Sequence, residues 1–412
     1  MSADSQYIAV TDIGTSKVVV IVGERPRPGQ NVFPKILGMG ECETGGALCK
    51  GRVLDEGKLA EALGKACQKA ENDAHCRIKI STSAISITGP TLLGKRLTGE
   101  IAIPPNTLVR PQNLREAQRA AIAKESFPPG YTRCFSRGQP TFLDGILTPK
   151  PIGKPARSLK SGYWAVALDH EYQSLLWHLE TRLGLHFDLM LPSSCASAFL
   201  HSTPRDRETG VLVLDIGAGV TDYVLYARGH IVGTDVLPVG GDHFDEDLCV
   251  AFGLKNHIVA SKLRCENGLK SKPWPQTLPI PSDTNDAVAQ DGFSANNRIP
   301  THAVRQVLRA RAADLFALIR ARIGPLASPE HLVNGLILTG GMAYQDEIDD
   351  VAQSVFGRHV SPGAFPEWVP EKLFSFKYST ALGLFAAAHA EAAMPPPRRK
   401  SLWERIFRPK NV

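Results

Sequence analysis

No apolar run in this 412-residue chain is long enough to cross a bilayer; the best candidate, residues 382–394, is alanine-rich and broken by His389 and Glu391. No basic segment followed by an apolar one opens the sequence, so nothing argues for export. The eight cysteines (42, 49, 67, 76, 134, 195, 249 and 265) include no Cys-x-x-Cys pair and no histidine at zinc-finger spacing. That predicts reduced, mostly buried thiols in a cytoplasmic protein and disfavours a metal site built from them. Gly-x4-Gly-Lys-Ser/Thr and Gly-x-Gly-x-x-Gly are missing too, which disfavours the two commonest nucleotide folds. Net positive charge is small over most of the chain. The net charge is +6, yet residues 398–412 hold six basic side chains and one acid, hence five of those six charges. A nearly neutral body offers no general nucleic-acid surface, and no nucleic-acid partner is expected.

What is present is a folded composition and a repeat. With 43% apolar and 21% charged residues the chain can bury a large core, and its length favours two or more domains. Ala9-Val10-Thr11-Asp12-Ile13-Gly14-Thr15-Ser16-Lys17-Val18 returns half a chain later as Val213-Leu214-Asp215-Ile216-Gly217-Ala218-Gly219-Val220-Thr221-Asp222. Each copy is an apolar β-rich run, an Asp, a Gly-bearing turn and a second β-rich run. A tight hairpin of this kind can face an anion with its backbone N–H groups while holding a carboxylate at the end of the first strand. Two of them imply two related lobes closing on one polyphosphate and its metal.

The surroundings repeat as well. Runs at 7–11, 18–22 and 32–40 precede a helical pattern at 55–72 that puts Leu59, Leu63, Ala66 and Ala70 on one face, and residues 78–87 read as a further strand. Runs at 211–215, 223–228 and 230–237 precede a helix at 242–252. Strands followed by a helix, given twice, predict an α/β protein with two similar halves. Two insertions interrupt it. Residues 86–163 hold strand-like runs and a helix at 111–124. Residues 255–323 hold a polar segment at 271–300, which looks extended or mobile, and then a helix at 301–323 with a basic face (Arg305, Arg309, Arg311, Arg320, Arg322). Pro395-Pro396-Pro397 ends the preceding helix and starts a tether.

Two more glycine pairs fit a phosphate and adenosine pocket. Gly240-Gly241-Asp242 opens a helix after a strand, and a helix N-terminus favours anions. Leu336-Ile337-Leu338-Thr339-Gly340-Gly341 is a strand entering another such turn. Asp12 and Asp215 are placed to hold Mg²⁺ through water, because that ion gives up its hydration reluctantly. Any one of these pieces alone is ordinarily just a turn or a close packing contact; their order and repeated spacing make the signal specific.

On these motifs the chain resembles actin-like ATPases. The Asp12-Ile13-Gly14-Thr15-Ser16-Lys17-Val18 version is similar to that of the bacterial cell-division FtsA family. Tyr378-Ser379-Thr380-Ala381-Leu382-Gly383-Leu384 resembles that family's second connecting helix, and the stretches at 151–153 and 157–159 resemble the end of its inserted subdomain. The resemblance implies an actin-like two-lobe fold of duplicated RNase H-like domains. Its divisions would be a first-lobe core at 1–85, 164–195 and 375–393, an inserted subdomain at 86–163, and a second-lobe core at 196–254 and 324–374. A further subdomain would occupy 255–323, a linker 394–400 and a terminal helix 401–412. It also implies ATP and Mg²⁺ as ligands, held by Asp12, Gly14, Thr15, Ser16, Lys17, Asp215, Gly217, Ala218, Gly219, Thr221, Gly240, Gly241, Gly340, Gly341 and Met342. Two departures stand out: Ser261 and Arg264 replace a Glu-x-x-Lys pair over the adenosine, and Gly240-Gly241-Asp242-His243-Phe244-Asp245 replaces Gly-Gly-x-x-Thr.

Around a helical wheel, Leu402, Trp403, Ile406 and Phe407 span roughly 140°, opposite Glu404, Arg405 and Arg408. That is the design of a helix lying in a membrane interface, with Arg398-Arg399-Lys400 ready for anionic lipid. The bland alternative is a terminal helix docked on its own domain. The resemblance implies a peripheral protein at the cytoplasmic face of the inner membrane, at the division septum. Its partners would be other copies in a filament, the FtsZ C-terminal peptide near Arg311 and Arg298, and further septal proteins through the inserted subdomain. ATP turnover would be weak at most, with Asp215 or Asp222 as the candidate catalytic carboxylates. A small-molecule kinase and a PilM-like pilus-assembly adaptor remain as alternatives on the same superfold; both leave the amphipathic tail unexplained.

Overall fold

The computed structural model describes residues 6–30, 32–74, 78–124, 127–267, 275–280, 298–345 and 347–394. The tether and the amphipathic segment at 395–412 lie outside the described residues, as does most of the polar stretch at 271–300.

Two five-stranded sheets share one topology. The first runs His186–Pro192, Thr82–Ile87, Tyr7–Ile13, Lys17–Glu24, Ile36–Glu43. The second runs Val360–Pro362, Leu336–Thr339, Val211–Ile216, Thr221–Ala227, His230–Leu237. In each, an antiparallel meander of three strands is joined by two parallel strands beside its first member. The hairpin turns match atom for atom: Gly14 N donates to Lys17 O at 2.9 Å, and Gly217 N donates to Val220 O at 2.9 Å.

Helices cover both faces of the first sheet, which is why its central strands are almost wholly apolar. The helix Glu56–Asp73 is capped by Asp55, whose carboxylate accepts from Lys58 N at 2.9 Å, and it buries Leu59, Leu63, Ala66 and Ala70. Gly40 makes that contact possible, since a Cβ there would lie 1.9 Å from Ala66 O. On the opposite face Leu382 and Phe385, from the helix Ser379–Ala393, pack on Ile8, Val10, Val19 and Ile21. Leu212, Leu214 and Phe244 open a second core continued by Leu315, Phe316 and Ile319 of the helix Thr301–Ile323.

Residues 93–168 form a sheet of their own, with Leu93–Ala102 and Thr132–Gly138 flanking Ser158–Leu168. Its helix Pro111–Ala123 lies close enough that a Cβ on Gly99 would meet Ala117 O at 2.1 Å. This sheet also reaches the edge strand of the second lobe. Trp164 Nε1 donates to Thr234 Oγ1 at 3.0 Å and Gln139 Nε2 donates to Ile231 O at 2.9 Å.

Several expectations shift. The strand read at 32–40 starts at Ile36, because Pro34 has no N–H for a ladder and Val32 and Phe33 stand exposed. The strand read at 78–87 is Thr82–Ile87. The thiols are not mostly buried: of the seven described cysteines, all free, only Cys67 and Cys195 are buried, while Cys49 and Cys265 are exposed. The basic face of Thr301–Ile323 is paired as well as exposed: Arg309 meets Glu347 at 2.7 Å, Arg322 meets Asp235 at 2.9 Å and Arg311 meets Asp247 at 2.6 Å, while Arg309 and Arg322 keep half or more of their side chains in water.

Candidate nucleotide cleft

A cleft of about 760 Å³ opens between the lobes, walled by the two hairpin turns. Asp12 and Asp215 line it at matching positions at the ends of the first strands, and Asp222 sits directly across the hairpin from Asp215. Each carboxylate is held by hydroxyls. Ser86 donates to Asp12 at 2.6 Å, Thr380 and Ser197 donate to Asp215, and Thr88 donates to both oxygens of Asp222 at 2.8 Å. Burial pushes Asp12 up to about 6, opposed by the Ser86 hydroxyl and assisted by the charge on Asp215. Burial likewise raises Asp215 and, with Asp215 as a like-charged neighbour, raises Asp222 well above the carboxylate range.

This donor set fits a hard divalent cation. Three desolvated carboxylates repel a polyphosphate unless positive charge lies between them. Among the described residues no three His, Cys, Asp or Glu side chains form a direct metal cage. One or two carboxylates plus water, the usual Mg²⁺ arrangement, is what Asp12 and Asp215 can supply. The wall also leaves room for a ligand, for a Cβ on Gly341 would project into open space. At Gly340, with φ +84°, it would strike Asp215 Oδ1 at 2.4 Å.

One end of the cleft is closed by the helix His257–Asn267, from which Ser261 and Arg264 reach in. Arg264 is locked by a two-pronged pair with Asp245 at 2.6 and 3.0 Å and also reaches Met342 Sδ at 3.0 Å. The two departures from the family pattern are therefore joined: the arginine is held by the carboxylate one residue beyond the altered Gly-Gly motif. Phe244, where that pattern has Thr, is fully buried in the core. Near the hairpin turn of the first lobe, Lys17 lies 3.5 Å from Glu41 and 4.5 Å over the Tyr378 ring, and burial lowers it to about 8. Lys377 lies 3.7 Å from the same carboxylate.

Of the residues expected here, Asp12, Gly14, Thr15, Ser16, Lys17, Asp215, Gly217, Ala218, Gly241, Ser261, Arg264, Gly340, Gly341 and Met342 line the cleft. Three sit behind its wall. Gly219 packs on Thr15, Gly240 packs on the Gly217 and Ala218 carbonyls, and Thr221 donates to Val239 O at 2.7 Å. The helix Gly241–Phe252 does not present all its first amides to an anion, because Gly241 N and Asp242 N donate to Gly217 O and Ala218 O at 2.9 and 2.8 Å. Sequence reasoning missed Glu41, Thr44, Thr88, Lys377 and Thr380, all in the cleft. Thr380 lies inside a quoted motif and was findable; the others come from elements without a local signature. Outside the cleft, Arg298 is held by Thr277 on the paired strand, and Arg311 by Asp247.

The family model for cell division protein FtsA matches residues 212–383, the second hairpin through the glycine of the last helix. Cell division protein FtsA of Neisseria meningitidis serogroup B is 25% identical over 98% of this chain and 96% of its own length. The FtsA of Pseudomonas aeruginosa is 26% identical over 92% and 88%. The chain resembles FtsA. Among solved structures, the PilM–PilN type IV pilus biogenesis complex aligns with TM-score 0.59 at 17% identity, over 94% of this chain and 99% of that one. MreB5 of Spiroplasma citri bound to ADP aligns with TM-score 0.54 at 12% identity, over 94% and 98%. The fold is thus the actin-like two-lobe α/β fold, and likeness at such identities speaks for the fold alone. The FtsA relatives, matched along nearly their full lengths, support a cell-division protein on that fold.

Proposed function

We propose that the chain binds Mg-ATP between its lobes, assembles into actin-like filaments at the inner face of the cytoplasmic membrane, and tethers FtsZ filaments there during septum assembly. The observation that carries the nucleotide reading is the pair of hairpin turns closed by the same backbone bond, each bearing an Asp, walling one cleft. Asp12 and Asp215 would hold Mg²⁺ through water, the ion offsetting phosphate charge; the glycine turns would face the phosphates and Arg264, Ser261 and Met342 the adenosine. MreB5 of Spiroplasma citri, which has the same fold, has been solved bound to ADP, and that agrees with this assignment. Turnover, if any, is weak, with Asp215 and Asp222 as the candidate carboxylates.

Membrane attachment rests on the tail at 401–412, through Leu402, Trp403, Arg405, Ile406, Phe407 and Arg408. Four partly buried apolar side chains at about 1.5–3 kcal/mol each, less the cost of ordering the helix, give reversible binding by one tail. A filament aligns many tails and gains avidity with no new contact. Arg311 and Arg298 are the basic groups proposed to meet the FtsZ peptide. Arg311 is already paired with Asp247, so an acidic peptide would have to compete for it. The domain divisions given above, and contact of other septal proteins with the 86–163 insertion, belong to the same proposal.

The deciding measurement is sedimentation with anionic liposomes, with and without Mg-ATP, comparing the full chain with one lacking 401–412. ATP-dependent pelleting that needs the tail is expected. Pelleting indifferent to the tail would overturn the membrane reading, and absence of ATP binding would overturn the cleft assignment.

A further inference from the structure

The loop between the strands Lys17–Glu24 and Ile36–Glu43 is built unlike the other turns of the first sheet. It is long, holds Pro26, Pro28 and Pro34, and is closed at its base by Glu24 N donating to Lys35 O at 2.9 Å. It presents Phe33 at 77% and Val32 at 43% exposure, with Arg27 also exposed.

Its position gives the exposure a meaning. Gly29 N donates to Ala393 O at 2.7 Å, so the loop is fastened to the last turn of the helix Ser379–Ala393. Met394, the next residue, is 61% exposed. The end of the last helix therefore lies on the same edge as this loop, and the sequence continues from there into the segment that carries six basic side chains and Leu402, Trp403, Ile406 and Phe407. Loop and exit point share one edge of the first lobe. Arg25 and Arg27 lie on the same loop as the apolar pair, while Lys35 is taken up by Glu24 at 2.5 Å.

We propose that this loop is a second lipid-contacting element, Phe33 and Val32 entering the interface of an anionic bilayer while Arg27 meets its headgroups. The inference rests on the reading of the tail as membrane-bound. It adds an orientation: a second contact, on the folded lobe, sets one edge of that lobe against the lipid. The tail, read as membrane-bound, brings a bilayer within reach of this apolar pair and its basic flank.

The test uses the full chain and vesicles of phosphatidylethanolamine and phosphatidylglycerol, in the presence of Mg-ATP. Phe33→Glu, alone or with Val32→Glu, should bind roughly five- to tenfold more weakly, and Arg27→Glu should weaken binding in a salt-dependent way. Val333→Glu, at an exposed position on the second lobe, should change nothing, and ATP binding by each variant reports that it is folded. Vesicle binding by the parent chain with no loss in the loop variants overturns the loop and leaves the tail standing. No vesicle binding by the parent chain overturns both. Loss of self-assembly without loss of vesicle binding by assembly-free protein assigns the loop to a contact between copies and overturns the lipid assignment.

Discussion

Gly383 crosses Ala196 with no space for a side chain: a Cβ on Gly383 would lie 1.9 Å from the Ala196 carbonyl oxygen. The helices Ser193–His201 and Ser379–Ala393 meet there, and their polar groups run on to the cleft. Ser197 and Thr380 both donate to Asp215, while Ser379 joins His201 to Thr339. The crossing point thus sets the position of a carboxylate expected to serve the metal. Gly383→Ala must push the helices apart, at a cost of about 1–3 kcal/mol, and should weaken Mg-ATP binding as well. Denaturant midpoints and nucleotide titration check this; unchanged binding despite lost stability would separate the crossing from the site.

Asp12 gives a pH-dependent prediction with a definite sign. Its folded pKa, raised to about 6, lies above the ordinary 3.8, so its favourable contribution is present below about 4 and is lost as pH rises through 6. At pH 8 the buried charge is a liability of up to about 3 kcal/mol in the ligand-free protein. Asp12→Asn should therefore raise the melting temperature at pH 8 without nucleotide and abolish the further rise on adding Mg-ATP. A variant that still responds fully to Mg-ATP would remove Asp12 from the metal site.

His201 acts in the opposite sense. Burial lowers it from 6.5 to about 4 while its ring is bonded to Ala364 O and Ser379 Oγ. Stability from the neutral ring is present above 6.5 and falls as pH drops towards 4, by up to about 3 kcal/mol. The two trends oppose each other between pH 6 and 4. Removing one should expose the other: Asp12→Asn should show a steeper acid loss than the parent chain, and His201→Gln a shallower one. Parallel pH profiles for all three would refute both assignments.

Arg264 and Asp245 are nearly buried together, so each alone is worse than neither. Arg264→Ala should cost about 3–5 kcal/mol, and Arg264→Met with Asp245→Leu should recover much of it. If the arginine serves the nucleotide as well, the stable double variant will still bind ATP more weakly. A double-mutant cycle read by both unfolding and ATP titration separates the two roles.

Lys17, lowered to about 8 by burial, should lose its charge within an accessible range. ATP affinity is expected to fall as pH rises through 8, and Lys17→Met to flatten that dependence. An affinity in the parent chain that is constant from pH 7 to 9 would place the ammonium off the phosphates.

The duplicated architecture was legible because its signals are local. An apolar run, an Asp and a Gly turn, repeated in the same order, point to two hairpins, and both form with the same turn bond. The helices starting at Glu56 and Thr301 were readable from the spacing of apolar residues. The site was legible only where glycines and carboxylates cluster in sequence. Glu41, Thr88 and Lys377 carry no such mark, being brought in by strand register and by the approach of separate elements. Phe33, read as part of a strand, illustrates the limit: period and composition suit a strand, but Pro34 removes a ladder donor, and the residue stands in solvent.

By itself, then, the sequence determined two hairpin-bearing lobes, the identity of the paired carboxylates, and the concentration of charge in the last fifteen residues, all of which depend on neighbours along the chain. Only the tertiary structure decided that Arg264 is held by Asp245, that arginines of Thr301–Ile323 pair with acids on other elements, that the sheet of residues 93–168 reaches the second lobe, and that the loop of Phe33 is bonded to the end of the last helix. These are contacts between residues far apart in sequence. Their partners are set by packing and burial, which no local pattern encodes.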